Sequence, residues 1–171
     1  MTWWNSALYD TCSLITLDKI FLDHPELEIH FQTILAIESV FTLDNLRQKT
    51  ADRIRPRIKI HPLPPLKDVQ SILRKTNLPS ALAEVDKHVY VTVVHHGLAG
   101  VTADRALGKE ILKSGLLVGS IALILKELVL GKVISVVKCD QVLADLANRN
   151  DFILSPEQPQ TWKTLKHHTF P

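Results

Sequence analysis

Cysteine is scarce in this chain. Cys12 and Cys139 are the only two in 171 residues, too few for a disulfide framework, so a reducing compartment such as the cytoplasm is the expected setting. Net charge is nearly absent: 20 Lys and Arg against 18 Asp and Glu leave +2. Bulk electrostatics therefore give no reason to expect a nucleic-acid binder, and any basic surface must come from local clustering. Long apolar runs are missing too. The longest one free of charge, Ser114 to Leu125, lies between Lys113 and Lys126 and falls short of the roughly 20 residues a bilayer span needs, so no membrane partner is expected. The opening "MTWWNSALYD" has neither a basic n-region nor an apolar h-region, which argues against a secretion signal. There is no internal repeat and no low-complexity segment.

The apolar share of 46% and the charged share of 22% are those of a folded globular chain. Residues 1–155 are expected to form a single domain, and residues 156–171, Pro-rich at their start, a C-terminal tail. A buried strand is expected at Ser6 to Tyr9, followed by a helix capped by Thr11 or Ser13 and running to about Leu22. A second strand is expected around Leu27 to Phe31. Thr33 would then open a long helix through Ile34, Ile37, Glu38 and Phe41 that fades near Lys49. "RIRPRIKI" alternates strictly, which predicts an extended segment with Arg53, Arg55, Arg57 and Lys59 on one side. Further helices follow at "LKDVQSILRKT", from Pro79 to Gly97, to about Lys113, over "IALILKELVLG" and over roughly Cys139 to Arg149. Strands are expected at Gly100 to Ala103 and at Leu116 to Ser120. Strands alternating with helices imply an α/β fold with a parallel sheet covered on both faces.

Four acids stand out within that pattern. Asp10 and Asp104 each end an apolar run and precede a helix-like stretch, which puts them at the carboxyl ends of strands, where an open α/β sheet binds its ligands. Glu38 and Asp86 lie on or beside apolar helix stripes, Glu38 four residues after Ile34 and Asp86 four after Leu82. Buried carboxylates need partners, since an unpaired one costs several kcal/mol. The plainer alternative is that each acid merely flanks its stripe and reaches water. Taken together, four carboxylates would select a hard cation such as Mg²⁺ or Mn²⁺, and their mutual repulsion would call for one. The chain carries 18 acids, so the choice of four needs further support.

That support is a likeness of motifs. "LYDTCSLITL" resembles the opening block of the PIN-domain family, and "TILAIESV" is similar to its second block, with the acid at Glu38. "EVDKHVYVTVVHHGLAGVTADRAL" resembles the third and fourth blocks, where Asp86, Gly97, Thr102, Asp104 and Arg105 keep the family's order and spacing. "LLVGSIALILKELVLGKV" is similar to a C-terminal strand and helix in one branch of standalone bacterial members. The resemblance runs from Ser6 to about Leu154. It implies a three-layer α/β/α sandwich with a mostly parallel central sheet and a Mg²⁺- or Mn²⁺-dependent ribonuclease. Asp10, Glu38, Asp86 and Asp104 would then be metal ligands and catalytic residues. The hydroxyls of Thr11, Ser13 and Thr102 would orient a ligand, a water or a phosphate. Many short bacterial members are VapC-type toxins held by an antitoxin. The insert from Arg47 to Lys75, more basic and Pro-rich than in the shortest of these, weakens that role more than the fold.

Other features admit two readings. Arg53, Arg55, Arg57 and Lys59, with Arg105 beside the fourth acid, could contact RNA phosphates. The alternative is a solvated, charged edge strand, favoured because no aromatic residue is interleaved for base stacking. His95 and His96 suit a helix C-terminus better than a proton shuttle. Trp3, Trp4 and Trp162 suit packing or a homodimer contact. The rival to the nuclease is a non-catalytic PIN-like module that binds RNA or protein through the same surface. A receiver-like domain is disfavoured because the strand at Leu116 to Ser120 does not end in lysine.

Overall fold

The computed structural model describes residues 2–43 and 46–149; the expected tail at 156–171 and Trp162 lie outside them. A short 3-10 turn at Trp3–Ser6 leads into β1, Leu8–Tyr9, and then α1, Thr11–Asp23. Asp10, in extended conformation, caps α1 by accepting the Ser13 backbone N–H at 2.7 Å. It thereby satisfies one of the donors that a helix start leaves open. Leu14, Leu17 and Ile20, at most 1% exposed, bury one face of α1, and each such burial contributes roughly 1.5–3 kcal/mol.

Residues Pro25–His30 form a 3-10 helix, and β2 is Ile34–Ala36. Both differ from the sequence expectation of a strand over 27–31 and a helix from Thr33. Pro25 opens the 3-10 helix with its φ already set. Ile34, Leu35 and Ala36 are all buried, so this central strand shows no polar alternation and cannot be told from a buried helix by periodicity. The chain continues through α2, Ser39–Thr42, and α3, Gln48–Ile54. "RIRPRIKI" is not one extended ribbon. Arg53 and Ile54 end α3, Arg55–Arg57 is a 3-10 turn that accommodates Pro56 near its start, and only β3, Ile58–Ile60, is extended.

After Pro65 come α4, Leu66–Lys75, and α5, Glu84–His96, which ends on Gly97 at φ 63°. That left-handed value is one glycine adopts without penalty. β4, Gly100–Val101, precedes α6, Arg105–Lys113; β5, Val118–Gly119, precedes α7, Ile121–Leu130; α8 is Val136–Asn148. Asp104, Ser120 and Ser135 cap α6, α7 and α8 through their side chains.

All five strands are parallel, in the order β3-β2-β1-β4-β5. α1 packs with α3, α7 and α8, while α5 packs with α2, α4 and α6, so the molecule is a three-layer α/β/α sandwich, as the sequence predicts. No helix among the described residues is long and apolar enough to cross a membrane. α8 is tied to the segment that follows α1 by a polar network. Lys138 Nζ donates to His24 Nδ1 at 2.7 Å, which obliges the ring to present Nε2–H to Asp145 at 3.0 Å. Lys138 also pairs with Glu26.

Candidate functional site

The strand order dictates where a site forms. From β1 the chain steps to β2 and β3 on one side, then returns to place β4 and β5 on the other. The connections diverge between β1 and β4, and the crevice beyond their carboxyl ends is where such sheets bind ligands. Leu8 pairs with Gly100 and Tyr9 with Val101, so Asp10 and Thr102 emerge side by side at that edge, with Asp104 two residues on.

Asp10 is 1% exposed. Its N–H donates to the Val101 carbonyl at 3.1 Å. One carboxylate oxygen accepts the Ser13 N–H at 2.7 Å, and the other accepts the Thr102 hydroxyl at 2.5 Å. Thr102, itself buried, accepts the Asp104 backbone N–H at 2.9 Å through that same hydroxyl oxygen. Asp104 caps α6, accepting the Leu107 N–H at 2.8 Å. Burial pushes the Asp10 carboxyl above its ordinary value; the bonds from Ser13 and Thr102 pull it down, and the nearby charge of Asp104 raises it again. One hydroxyl thus bonds the Asp10 carboxylate and the Asp104 backbone, and Asp10 feels the charge of Asp104.

The supporting hydroxyls divide. Ser13 Oγ–H donates to the Val101 carbonyl at 3.1 Å and ties α1 to β4, and the Ser13 side chain also helps to hold the Asp10 carboxyl pKa down. Thr11, in the first turn of α1 beside Asp10, is buried with a hydroxyl that has no hydrogen-bond partner. An orphaned buried oxygen beside an acid is what a water or ion in the crevice would satisfy.

Glu38 does not sit in mid-helix. It follows β2 by two residues, at the same edge of the sheet as Asp10. It reaches Arg55, whose Nη2–H donates to Oε1 at 2.7 Å. Asp86 lies in the first turn of α5, partly buried. Two residues on, His88 Nδ1 meets the buried Ser39 Oγ at 3.0 Å and so docks α5 against the residue that follows Glu38; no motif in the sequence signals that pairing. Among the described residues no three His, Cys, Asp or Glu side chains are placed to hold a metal ion. The structure therefore brings Asp10 and Asp104 together, sets Glu38 on the neighbouring strand end, and does not close the four expected ligands into a cage.

A two-carboxylate set still fits Mg²⁺ or Mn²⁺. Magnesium keeps several of its waters and is commonly held by one or two carboxylates, with substrate phosphates filling the rest. A buried carboxylate met only by neutral donors, a second acid beside it and an unsatisfied hydroxyl suit such an ion.

The basic residues are largely committed elsewhere. Arg53 grips the buried Asp18 through two bonds, at 2.9 and 2.5 Å. Arg57 donates to Glu28 at 2.8 Å and to the Arg53 carbonyl at 2.5 Å. These hold α3 and its turn against the rest of the fold, so the one-sided ribbon expected from alternation does not form. Lys59 lies on β3, the outer strand, and Arg105 is exposed at the first position of α6, next to Asp104.

No family model matches the chain, and no curated protein does. It is similar to the crystal structure of PAE2754 from Pyrobaculum aerophilum, with a TM-score of 0.47 and 16% identity over 64% of this chain and 87% of that one. A likeness of that size says nothing about activity.

Proposed function

We propose that this protein is a metal-dependent endoribonuclease built on a PIN-like fold. The observation that carries the reading is a buried Asp10 whose carboxylate is held by the Thr102 hydroxyl and feels the charge of Asp104, at the point where the strand connections diverge. Asp10 and Asp104 would hold Mg²⁺ or Mn²⁺, with Glu38 and Asp86 completing the acidic edge. Such an ion, once bound, supplies positive charge against a phosphodiester and lowers the pKa of a water. Thr102 holds the Asp10 carboxylate, and the Thr11 hydroxyl, buried without a hydrogen-bond partner, would bond a water or a phosphate oxygen. Arg105, exposed beside Asp104, and Lys59, exposed on β3, are suited to a passing RNA backbone. Whether an antitoxin covers this edge is a separate question that co-purification with the product of a neighbouring reading frame answers.

A second reading, the non-catalytic binding module, is favoured by the absence of three gathered ligands among the described residues. One set of measurements separates them. Wild-type protein should gain about 2.7 kcal/mol of stability at a Mn²⁺ concentration a hundred times Kd, read as a thermal shift of about 5–10 °C for a chain of this size, and should cut a labelled single-stranded RNA. Asp10→Asn and Asp104→Asn should lose both responses. RNA binding without cleavage or metal response would favour the module, and cleavage that persists in both variants would sink the assignment.

A further inference from the structure

Three arginines lie within five residues, and their partners differ in place. Arg53 holds Asp18 on α1 and Arg57 holds Glu28. Arg55 holds Glu38, an acid at the edge where Asp10 and Asp104 meet. Leu8 pairs with Leu35 across β1 and β2, so the position opposite Asp10 is Ile37, and Glu38 is the next residue. Adjacent strands lie about 4.8 Å apart and rise about 3.3 Å per residue, which puts the Glu38 backbone one strand over and one step beyond that of Asp10. A glutamate side chain from there can turn toward the crevice, or away from it to Arg55, and in this structure it is on Arg55.

Both partners are free to turn. Their side chains are 49% and 46% exposed, and the Arg55 guanidinium lies 4.7 Å from the centre of the Phe41 ring, a resting place that does not require Glu38. An ion pair so exposed is weak, since solvent screens it. It is therefore a device that tunes rather than locks.

Resting on the metal-site reading above, we propose that Arg55 is an internal competitor for the metal. It neutralises Glu38 while Asp10 and Asp104 are without a cation, and it yields Glu38 to a divalent ion that binds between them. The ion pair then sets metal affinity, and the third ligand is gathered by binding instead of being pre-formed.

Mn²⁺ titration of the full-length protein, followed by the loss of the free-ion paramagnetic resonance signal, tests this in wild type, Arg55→Gln, Glu38→Gln and the double variant. Arg55→Gln should bind Mn²⁺ about two- to fivefold more tightly, the range set by an exposed pair. Glu38→Gln should bind more weakly. In the Glu38→Gln background, removal of Arg55 should change affinity by less than half as much, a test that also subtracts the long-range effect of losing one positive charge. If Arg55→Gln leaves affinity unchanged or weakens it, or tightens it equally without Glu38, the competitor role is wrong while the metal site stands, provided Asp10→Asn still abolishes binding. If wild type binds no Mn²⁺, or binds it as well after Asp10→Asn, the metal site and the competitor fall together.

Discussion

Thr102→Val is the most informative single substitution in this protein. The hydroxyl does two things at once: it donates to the buried Asp10 carboxylate at 2.5 Å and accepts the Asp104 N–H at 2.9 Å. Valine keeps the shape and removes both bonds. Loss of a hydrogen bond to a charged group costs about 1.5–3 kcal/mol. The Asp104 N–H adds little, because Asp104 is exposed and water replaces the lost acceptor. The expected loss is about 2–3 kcal/mol where Asp10 is ionised, or about 5–10 °C in melting temperature.

The pH dependence has a definite sign. The Thr102 bond favours the charged form of Asp10 and holds its pKa below where burial alone would set it. The stabilisation from that bond is therefore present above the folded pKa of Asp10, which lies above the ordinary aspartate value, and fades as pH falls through it. Denaturant unfolding of wild type and Thr102→Val, followed from acid pH upward, should show a gap that widens as Asp10 ionises. Thr102→Ser, which keeps the hydroxyl, should stay close to wild type. A gap below about 0.5 kcal/mol at every pH, which is too small for a hydrogen bond to a charged group, would refute the account of Asp10 as a carboxylate held by Thr102.

Three more outcomes follow from the packing. A methyl group on Gly119 would run into the Trp3 ring, which Glu127 pins by accepting its indole N–H at 3.0 Å; Gly119→Ala should destabilise by about 1–3 kcal/mol in thermal melts. Arg53→Met leaves Asp18, 4% exposed, without its bidentate partner and should cost about 1–3 kcal/mol, whereas Lys59→Met on the exposed edge strand should stay within about 0.5 kcal/mol. Burial, with the charge of Asp140 adding to it, pushes the Cys139 thiol up to about 12, and Cys12 is exposed. A thiol reagent at pH 8 should therefore label one cysteine in the native protein and the second only on unfolding.

The elements differ in how well the chain announces them. α4 and α6 carry their apolar residues at helical period, and Gly97 marks the end of α5; the cap of α1 is Asp10 and not the expected Thr11 or Ser13. Those signals are local, and the sequence reading places these helices to within a few residues, apart from the start of α5. β2 is not legible in the same way, because a strand covered on both faces has no polar alternation to betray it. That error put Glu38 on a helix face, whereas the structure sets it just beyond a strand end, which is where the proposed mechanism has most use for it. "RIRPRIKI" misleads for the opposite reason. Its alternation is real, but each arginine finds its own acid, on Asp18, Glu38 or Glu28, at a distance in sequence that no period encodes.

By itself the order of residues determines that this chain is an α/β protein and that Asp10 and Asp104 each stand between a buried strand and the helix it feeds. Both conclusions need only apolar periodicity and capping chemistry, which act within a turn or two of the backbone. Tertiary structure alone decides that β4 returns to the far side of β1. That placement lets one threonine hydroxyl bond the Asp10 carboxylate and the backbone N–H of Asp104, 94 residues apart in number, and it leaves Glu38 on an arginine instead of in the crevice. Those are relations between distant segments, governed by strand order and by competition among charges in space.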